Sequence, residues 1–336
     1  MMRFGLCLSA QYLPGDDPVA RFREHILQAR AAQSGGFTSL WASHHYLASP
    51  FQMLQPLPVL ARLAGEVPSM TIGTAILLIP LLNPVDIAEQ VATLDVICEG
   101  RFVFGVGLGY RAVENAVFGV QPGQRVSRFT ETLTLIKRLW TEEQVDLVGE
   151  HYTFQGLSLV TKPVQQPHPP IWMAANNDAA VCRAARMGDT WLINPHATLA
   201  TLRAQVELFR AECSAIGRPF PTELPIMREL FIAEDRETAL REAQPILEQK
   251  YRAYSTWGQD KALPQGEHFE LPFDELLRDR FIIGDPEDCV RQIADYQQQL
   301  GVTHMLLRLQ WPGMPRAQVF RAIHLLSQEV LPHFKD

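Results

Sequence analysis

Residues 38–46 read Thr38-Ser39-Leu40-Trp41-Ala42-Ser43-His44-His45-Tyr46, and this stretch is the strongest indication of the fold. Its first half is typical of a buried strand, and it delivers two adjacent histidines into a turn-rich loop at 47–56. Because side chains alternate along a strand, one imidazole faces each way. An α/β barrel builds its active site at the carboxyl ends of its strands, so the pair lies where chemistry is expected if the chain forms a barrel.

Strand-like and helix-like patterns alternate from one end of the chain to the other. Helices begin at typical caps, as at Asp17-Pro18, and end at glycines, as at Gly35-Gly36. Eight strand–helix units predict a parallel sheet with right-handed crossovers that closes into a barrel. The predicted strands cover residues 3–8, 38–43, 70–76, 101–106, 171–175, 190–193, 224–232 and 304–309.

Two longer excursions interrupt this alternation. The first covers about 107–170, with a helix pattern at 127–139 and a hairpin-like stretch at 145–159, and the second covers about 255–280. The sequence therefore predicts an α/β TIM (β/α)8 barrel with insertions after strand 4 and before strand 8, in one domain spanning 1–336. The main alternative is a doubly wound open sheet, which leaves the last part of the chain without a role.

The composition excludes several classes of function. The 336-residue chain is 47% hydrophobic, and no apolar run approaches the roughly 20 residues that span a membrane. A net charge of -7 argues against a nucleic-acid binder. The first residues enter a strand at once, which argues against a signal peptide. The five cysteines are scattered, which predicts free thiols. We therefore expect a cytoplasmic protein with no membrane or nucleic-acid partner.

A series of short motifs runs along almost the whole chain. They are Ser43-His44-His45-Tyr46, Asn83-Pro84, Ala88-Glu89-Gln90, Leu94-Asp95, Gly100-Arg101-Phe102-Val103-Phe104-Gly105-Val106-Gly107, Arg128-Phe129 with Glu131, Gly149-Glu150-His151-Tyr152, Pro167-His168-Pro169-Pro170-Ile171-Trp172, Ala184-Ala185 and Gly188-Asp189. In their order and spacing these motifs resemble those of the bacterial luciferase-like family of flavin-dependent monooxygenases, although members commonly carry an acid where this chain has Ser43. The resemblance implies a barrel that binds reduced flavin mononucleotide (FMN), or its deazaflavin relative F420, at the carboxyl face. Many members take reduced flavin from a separate reductase and oxygenate an organic substrate, whereas others catalyse F420-linked hydride transfer.

The corner Ala175-Asn176-Asn177 leaves a predicted strand and starts a predicted helix. Exposed N–H groups and the helix dipole make such a corner a phosphate site. Ordinary helix capping explains the same residues without a ligand. Asn177 matches a phosphate-contacting position of the family, so the resemblance implies that Ala175, Asn176 and Asn177 bind the cofactor.

The stretch Gly105-Val106-Gly107-Leu108-Gly109-Tyr110-Arg111 is a second candidate cofactor site. Small residues let the backbone approach a ligand, and Arg111 offers a cation to a phosphate. We interpret Gly107, Gly109, Tyr110 and Arg111 as a flavin-phosphate loop, with packing at a glycine-rich strand end as the alternative. The spacing also mimics a dinucleotide fingerprint, but that fingerprint needs an acid about 20 residues further on, where Ser127 stands.

His44 and His45 are the candidate catalytic residues. The resemblance places His44 at the family's active-site histidine, close to the flavin ring, where an imidazole can donate a hydrogen bond or transfer a proton. A core histidine bonded to a backbone carbonyl is the alternative, and His45 suits it better. No acid or third ligand has metal-site spacing nearby, so we predict no metal.

Further contacts come from the third strand and the first insertion. The resemblance places Thr74 and Ala75 against the flavin ring, although small residues there make room for any group. His151 and Tyr152 are polar aromatic residues that either cap the pocket or form a surface pair.

A substrate pocket is expected after the second and eighth strands, where apolar side chains suit a dry cavity. Packing against the barrel rim explains the same residues. Two charges inside the last strands, Arg228 and Arg308, are costly unless they bind an anionic substrate or pair with an acid such as Glu229. The apolar candidates are Phe51, Met53, Trp311 and Met314.

Three hypotheses of function follow. The first is a monooxygenase that takes reduced FMN from a partner flavin reductase and oxygenates a small, largely apolar molecule. The second keeps the barrel but uses F420 for hydride transfer. The third is a non-catalytic flavin-binding or partner subunit, because a fold does not determine a function. By family analogy we expect a homodimer, with the helices after the second and third strands at its interface.

Overall fold

The computed structural model describes residues 1–259, 262–264 and 267–335. Eight parallel strands each pair with their neighbours in chain order, and the first pairs with the eighth to close a barrel. The predicted fold class is therefore confirmed. The barrel strands are β1 (Arg3–Leu8), β2 (Ser39–Ala42), β3 (Thr71–Thr74), β4 (Phe102–Gly107), β5 (Ile171–Ala175), β6 (Thr190–Ile193), β7 (Pro225–Ile232) and β8 (His304–Arg308).

Helices surround the barrel, and several begin at residues suited to cap them. Asn83 accepts hydrogen bonds from the N–H groups of Val85 and Asp86, and the proline that follows it suits the first turn. The helices are α1 (Pro18–Ser34), α2 (Pro56–Ala64), α3 (Pro84–Ile97), α4 (Ala112–Val117), α5 (Arg125–Thr141), α6 (Asp178–Met187), α7 (Leu199–Ala215), α8 (Arg236–Thr256), α9 (Phe273–Leu277), α10 (Pro286–Leu300) and α11 (Arg316–Leu325), with shorter helical turns at Ile79–Leu81, Pro122–Gln124, Leu326–Val330 and Leu331–Phe334.

Short strands lie outside the barrel. The hairpin predicted in the first insertion is present, with antiparallel strands Val145–Val148 and Thr153–Leu157. A strand that was not predicted, Phe281–Gly284, pairs with the outer half of β7, which extends past its last contact with β8. Two further pairings join Gln11–Tyr12 to Gln52–Met53, and Leu77–Leu78 to the end of β4.

Large side chains fill the interior of the barrel. Trp41 and Trp172 stack with their ring centroids 4.5 Å apart. Trp41 fills the space beside Gly73, where a larger residue would collide with it. Met227 and Leu306 belong to the same buried cluster. The interior is therefore a packed core, and the open space lies above it at the carboxyl ends of the strands.

Candidate active site

A cavity of about 680 Å³ opens at the carboxyl ends of the barrel strands. This volume suits a cofactor with a small substrate, since ligand cavities commonly measure about 300–1,000 Å³. The predicted site residues that line it are His44, His45, Ala75, Gly107, Gly109, Tyr110, Ala175, Asn176, Asn177 and Arg308.

The start of α6 lies at the cavity. Asn177 caps this helix, because its Oδ1 accepts a hydrogen bond from the N–H of Ala180 at 3.0 Å. The carbonyl oxygen of Asn176 accepts a bond from Gln205 Nε2 at 3.1 Å, which braces the corner from behind. The cap uses the third N–H group of the helix, so the first two remain for a ligand, together with the positive end of the helix dipole.

Two glycines at the end of β4 and just after it keep the cavity open. A side chain at Gly107 would collide with Ile76, and Gly109 has a φ of 71°, in the left-handed region that favours glycine. The next residue, Tyr110, donates its hydroxyl to Gln259 Oε1 at 2.8 Å. Burial raises the pKa of Tyr110 well above its ordinary value, so the phenol stays protonated at neutral pH.

Arg125, and not the predicted Arg111, supplies the arginine that lines this part of the cavity. Arg125 Nη1 donates to the carbonyl of Gly109 at 3.1 Å. Arg111 is buried behind the wall, where its guanidinium donates to the carbonyls of Tyr46 at 2.6 Å and Leu47 at 3.0 Å. Arg111 therefore holds the loop after β2 in place. Its position in sequence, one residue beyond a lining tyrosine, did not reveal this.

His44 presents a fixed hydrogen-bond donor. Its Nδ1 accepts a bond from the N–H of Leu78 at 3.1 Å, so a neutral ring carries its proton on Nε2. Burial, with a smaller effect of the neighbouring His45, lowers the pKa of His44 to about 4. The ring is therefore neutral at pH 7 with its proton on Nε2, and a hydrogen bond with the Gln55 side chain partly opposes the effect of burial.

His45 is bonded to a buried carboxylate. Its Nδ1 lies 3.0 Å from Glu114 Oε1, which also accepts the N–H of Tyr46 at 2.8 Å. Burial alone would raise the pKa of Glu114, but the hydrogen bonds from His45 and Tyr46 and the charge of Arg111 hold it below its ordinary value. His45 therefore anchors the loop after β2 as well as lining the cavity.

Thr74 lies behind the cavity wall, where its hydroxyl donates to the carbonyl of Gly105 at 2.7 Å and ties β3 to β4. The residues that follow it, Ala75, Ile76 and Leu78, line the cavity as an apolar floor. Of the predicted pair, Ala75 therefore lines the cavity, whereas Thr74 makes a structural contact behind it.

His151 and Tyr152, the predicted cap, do not line the cavity. His151 Nε2 lies 2.7 Å from Ser127 Oγ, on α5. Three successive N–H groups of the hairpin turn donate to the carboxylate of Glu131, also on α5. These bonds hold the hairpin against α5.

Phe51 and Trp311, predicted for the substrate pocket, are buried outside the cavity. The ring of Phe51 packs against Trp257, with centroids 6.2 Å apart, and so supports a residue that does line the cavity. Trp311 stacks on Phe231 at 4.6 Å, under the barrel rim. Three other candidates also lie outside the cavity: Met53, Met314 and Arg228.

The end of α8 forms a wall that the sequence analysis missed. Tyr254 and Trp257 stack with centroids 5.3 Å apart, and the Trp257 ring lies 4.1 Å from the guanidinium of Arg111. Trp257 Nε1 donates to the carbonyl of Ser49 at 3.1 Å, which joins α8 to the loop after β2. We call the segment from Tyr254 to Gln259 the α8 cap. The sequence offers one sign of this wall, which is a pair of aromatic residues three positions apart at the end of a helix.

Arg308, the last residue of β8, is bonded to Ser43. Its Nη2 donates to Ser43 Oγ at 3.0 Å. Its Nη1 lies 3.5 Å from Glu229 Oε1 and 3.4 Å from the hydroxyl of Tyr254. Lys250 contacts the same Glu229 carboxylate more closely.

His196, which follows β6, lines the cavity and was not predicted. The hydroxyl of Tyr251 donates to Glu229 Oε2 at 3.2 Å, so its oxygen accepts from His196 Nδ1 at 3.1 Å. Burial, and then the charge of Lys250, lowers the pKa of His196 well below its ordinary value. The ring is neutral at pH 7, and its Nε2 is an acceptor.

Within the described residues, no group of three or more His, Cys, Asp or Glu side chains is placed to hold a metal ion. A helix long and apolar enough to cross a membrane is likewise absent from the part of the chain that the structure describes.

Comparison with known proteins gives the family. The family model described as luciferase-like monooxygenase matches residues 2–304. The chain belongs to the luciferase-like monooxygenase family. It is therefore an oxidoreductase of the family in which the sequence motifs placed it.

Relatives of two kinds match nearly the whole chain. The oxygenase component of the flavin-dependent trigonelline monooxygenase of Acinetobacter baylyi is 22% identical over 100% of this chain and 96% of its own. The F420-dependent glucose-6-phosphate dehydrogenase of Amycolatopsis mediterranei is 26% identical over 93% of this chain and 95% of its own. Among solved structures, the monooxygenase RslO1 of Streptomyces bottropensis has a TM-score of 0.88 at 24% identity, covering 99% of this chain and 100% of its own. That likeness shows the same fold.

Proposed function

We propose that this protein is a flavin-dependent monooxygenase that binds reduced FMN in the cavity and uses oxygen to oxygenate a small organic substrate. One observation carries the proposal: the same cavity contains the start of α6, which suits a phosphate, and the neutral donor His44. The match to a flavin-dependent oxygenase component along the whole chain supports it.

The phosphate of FMN fits the side of the cavity between β4 and β5. The first two N–H groups of α6 and its dipole favour an anion there. Arg125 adds a cation, and the glycines at 107 and 109 leave room for the ligand. Asn177 acts by holding the helix end, because its side-chain oxygen is already used by the cap.

The flavin ring fits the apolar floor of Ala75, Ile76 and Leu78. The N–H of Leu78 holds the His44 ring, so the donor Nε2–H belongs to the same part of the site. With a pKa of about 4, His44 acts at neutral pH by donating a hydrogen bond to the flavin or to oxygen beside it, and not as a base.

Bound reduced flavin supplies the electrons for oxygen activation. The protein's own contribution is orientation and exclusion of water. Leu192 and Met227 line the cavity with apolar surface, and the aromatic residues of the α8 cap close one wall. These residues would keep water out of the cavity during the reaction.

A separate flavin reductase supplies the reduced FMN in this proposal, as the name of the relative from A. baylyi, an oxygenase component, suggests for that protein. The glycines that mimic a dinucleotide fingerprint line the cavity in which we place the flavin. A homodimer would cover Val96 and Ile97, which are exposed at the end of α3.

An anaerobic titration with reduced FMN and reduced riboflavin, which lacks the phosphate, tests the site. We expect FMN to bind at least about ten-fold more tightly, because a phosphate gains charge-assisted hydrogen bonds. Arg125→Gln should narrow this difference. Arg186→Gln, which removes an exposed arginine paired with Glu212, should leave it unchanged. Equal affinity for the two flavins, or no binding of FMN, contradicts the proposal.

The F420-dependent relative supports a second function, hydride transfer with F420 in the same cavity. The two functions differ in the cofactor that is bound and in whether turnover consumes oxygen. Tighter binding of F420 than of FMN, with turnover that consumes no oxygen, would establish the second function in place of the first.

A further inference from the structure

The cavity contains a second charged region, which the proposed flavin contacts do not use. Arg308 ends β8, three strands around the rim from β5, where α6 begins. Its side chain is buried and lines the cavity. Ser43 and Met227 also line the cavity. Arg308 Nη2 lies 3.0 Å from Ser43 Oγ and 4.0 Å from Met227 Sδ.

The guanidinium of Arg308 is loosely paired. Its two contacts with Glu229 and Tyr254, at 3.5 and 3.4 Å, are longer than a good charge-assisted hydrogen bond. Its Nε has no hydrogen-bond partner among the described residues. Lys250 is in direct contact with the same oxygen of Glu229, so Arg308 has to share that carboxylate oxygen with a second nitrogen.

Among the residues that the structure describes, positive charge exceeds negative charge in the buried layer around Arg308. Three arginine side chains share two carboxylates: Arg228, Arg280 and Arg308 with Glu229 and Glu267. Arg228 contacts backbone carbonyl oxygens and a tyrosine ring within the described residues. One positive charge is therefore left over even when Lys250, whose pKa burial and Arg308 lower, is counted as neutral. A buried charge of this kind is costly unless a ligand pairs with it.

We propose that the substrate is an organic carboxylate, whose carboxylate group binds Arg308 and Ser43. The oxygen of Ser43 accepts from Arg308 and otherwise contacts only the weak partner Cys7 Sγ at 3.9 Å among the described residues, so its hydrogen can donate to an anion in the cavity. The apolar part of the substrate would lie against Met227 and Leu192, which line the cavity. The inference rests on the proposed monooxygenase function, and it names the substrate class for that site.

Calorimetric titration of the full-length protein with benzoate and with benzamide tests this inference. The two probes have the same ring and nearly the same size, but only benzoate is charged. Titrations are made with and without saturating FMN, so that failure of flavin binding and failure of carboxylate binding are separate results. The variants are Arg308→Gln, Ser43→Ala and, as a control for net charge, Arg186→Gln.

We expect benzoate to bind at least about ten-fold more tightly than benzamide. Arg308→Gln should abolish this preference, and Ser43→Ala should reduce it several-fold without affecting benzamide. Arg186→Gln should retain it. The inference is overturned if benzoate shows no preference over benzamide, including no measurable binding of either, or if Ser43→Ala and Arg308→Gln keep the full preference. Ser43→Ala provides the test if Arg308→Gln does not fold.

Discussion

The first insertion and the α8 cap place aromatic side chains in opposite ways. The hairpin at 145–157 turns His151 and Tyr152 onto α5, where they pack away from the cavity. The α8 cap instead turns Tyr254 and Trp257 into the cavity wall. Both segments offer a pair of polar aromatic residues within an insertion or at its edge, yet only the second pair reaches the proposed site.

The difference comes from the partners of each segment. The carboxylate of Glu131 accepts three N–H groups of the hairpin turn and so holds it on α5. The α8 cap contacts Arg111 and Ser49, which belong to loops at the cavity rim. Local sequence shows that a residue is aromatic and polar, but the charged or carbonyl partner, distant in sequence, decides which surface it covers.

Replacing Trp257 with alanine should have the largest effect. The variant loses the ring over Arg111, the stack on Tyr254 and the bond to Ser49. We expect the FMN dissociation constant to rise about 100-fold, or about 3 kcal/mol of binding free energy, because truncation of a tryptophan that anchors a binding site commonly costs about 2 kcal/mol or more. Anaerobic titration measures it. Trp257→Phe should lose much less, and an unchanged affinity in Trp257→Ala would remove the α8 cap from the site.

Lowering the pH should destabilise the folded protein through His44, which lines the cavity. Its pKa falls from 6.5 to about 4 on folding, so the unfolded state binds more protons between these values. Its contribution to stability is complete above pH 6.5 and is lost as the pH falls towards 4. The free energy of unfolding should fall between pH 7 and pH 4.5, and this fall should be about 2 kcal/mol smaller in His44→Gln than in wild type. Urea unfolding at the two pH values measures it. Equal losses would mean that His44 is not buried and neutral.

Glu131→Gln tests the hairpin side. An amide oxygen replaces a carboxylate that accepts three backbone N–H groups, so we expect the free energy of unfolding to fall by about 2 kcal/mol. The FMN dissociation constant should change by less than about two-fold, because the hairpin contacts lie outside the cavity. Urea unfolding and anaerobic titration measure the two quantities. A large loss of flavin affinity without loss of stability would assign the hairpin to the site.

Tyr110→Phe should have the smallest effect. It removes one hydrogen bond, from the Tyr110 hydroxyl to Gln259 in the α8 cap, and retains the ring. The cost of about 1 kcal/mol corresponds to roughly five-fold weaker FMN binding. Gln259→Leu should weaken binding by a similar factor, and the double variant by no more than either one, since both remove the same bond.

Most of the fold could be predicted because buried parallel strands are apolar runs bounded by caps and glycines, which local sequence records. The strand Phe281–Gly284 was not predicted. It has four residues, and its pairing depends on β7 extending beyond the barrel, which is a property of the assembled sheet.

Candidate residues at strand ends could be predicted because the barrel brings those ends together, and His44, Ala75, Gly107 and Asn177 do line one cavity. The choice of Arg125 over Arg111 could not be predicted. Both follow β4, and only the three-dimensional path of the loop shows which guanidinium is occupied by backbone carbonyls.

A crystal structure with bound FMN tests the central claim most directly. The account predicts the phosphate within hydrogen-bonding distance of the N–H groups of Asp178 and Ala179, and the flavin ring over Ala75 and Ile76 beside His44 Nε2. A phosphate bound at Arg308, or a flavin ring lying outside the α8 cap, would contradict it.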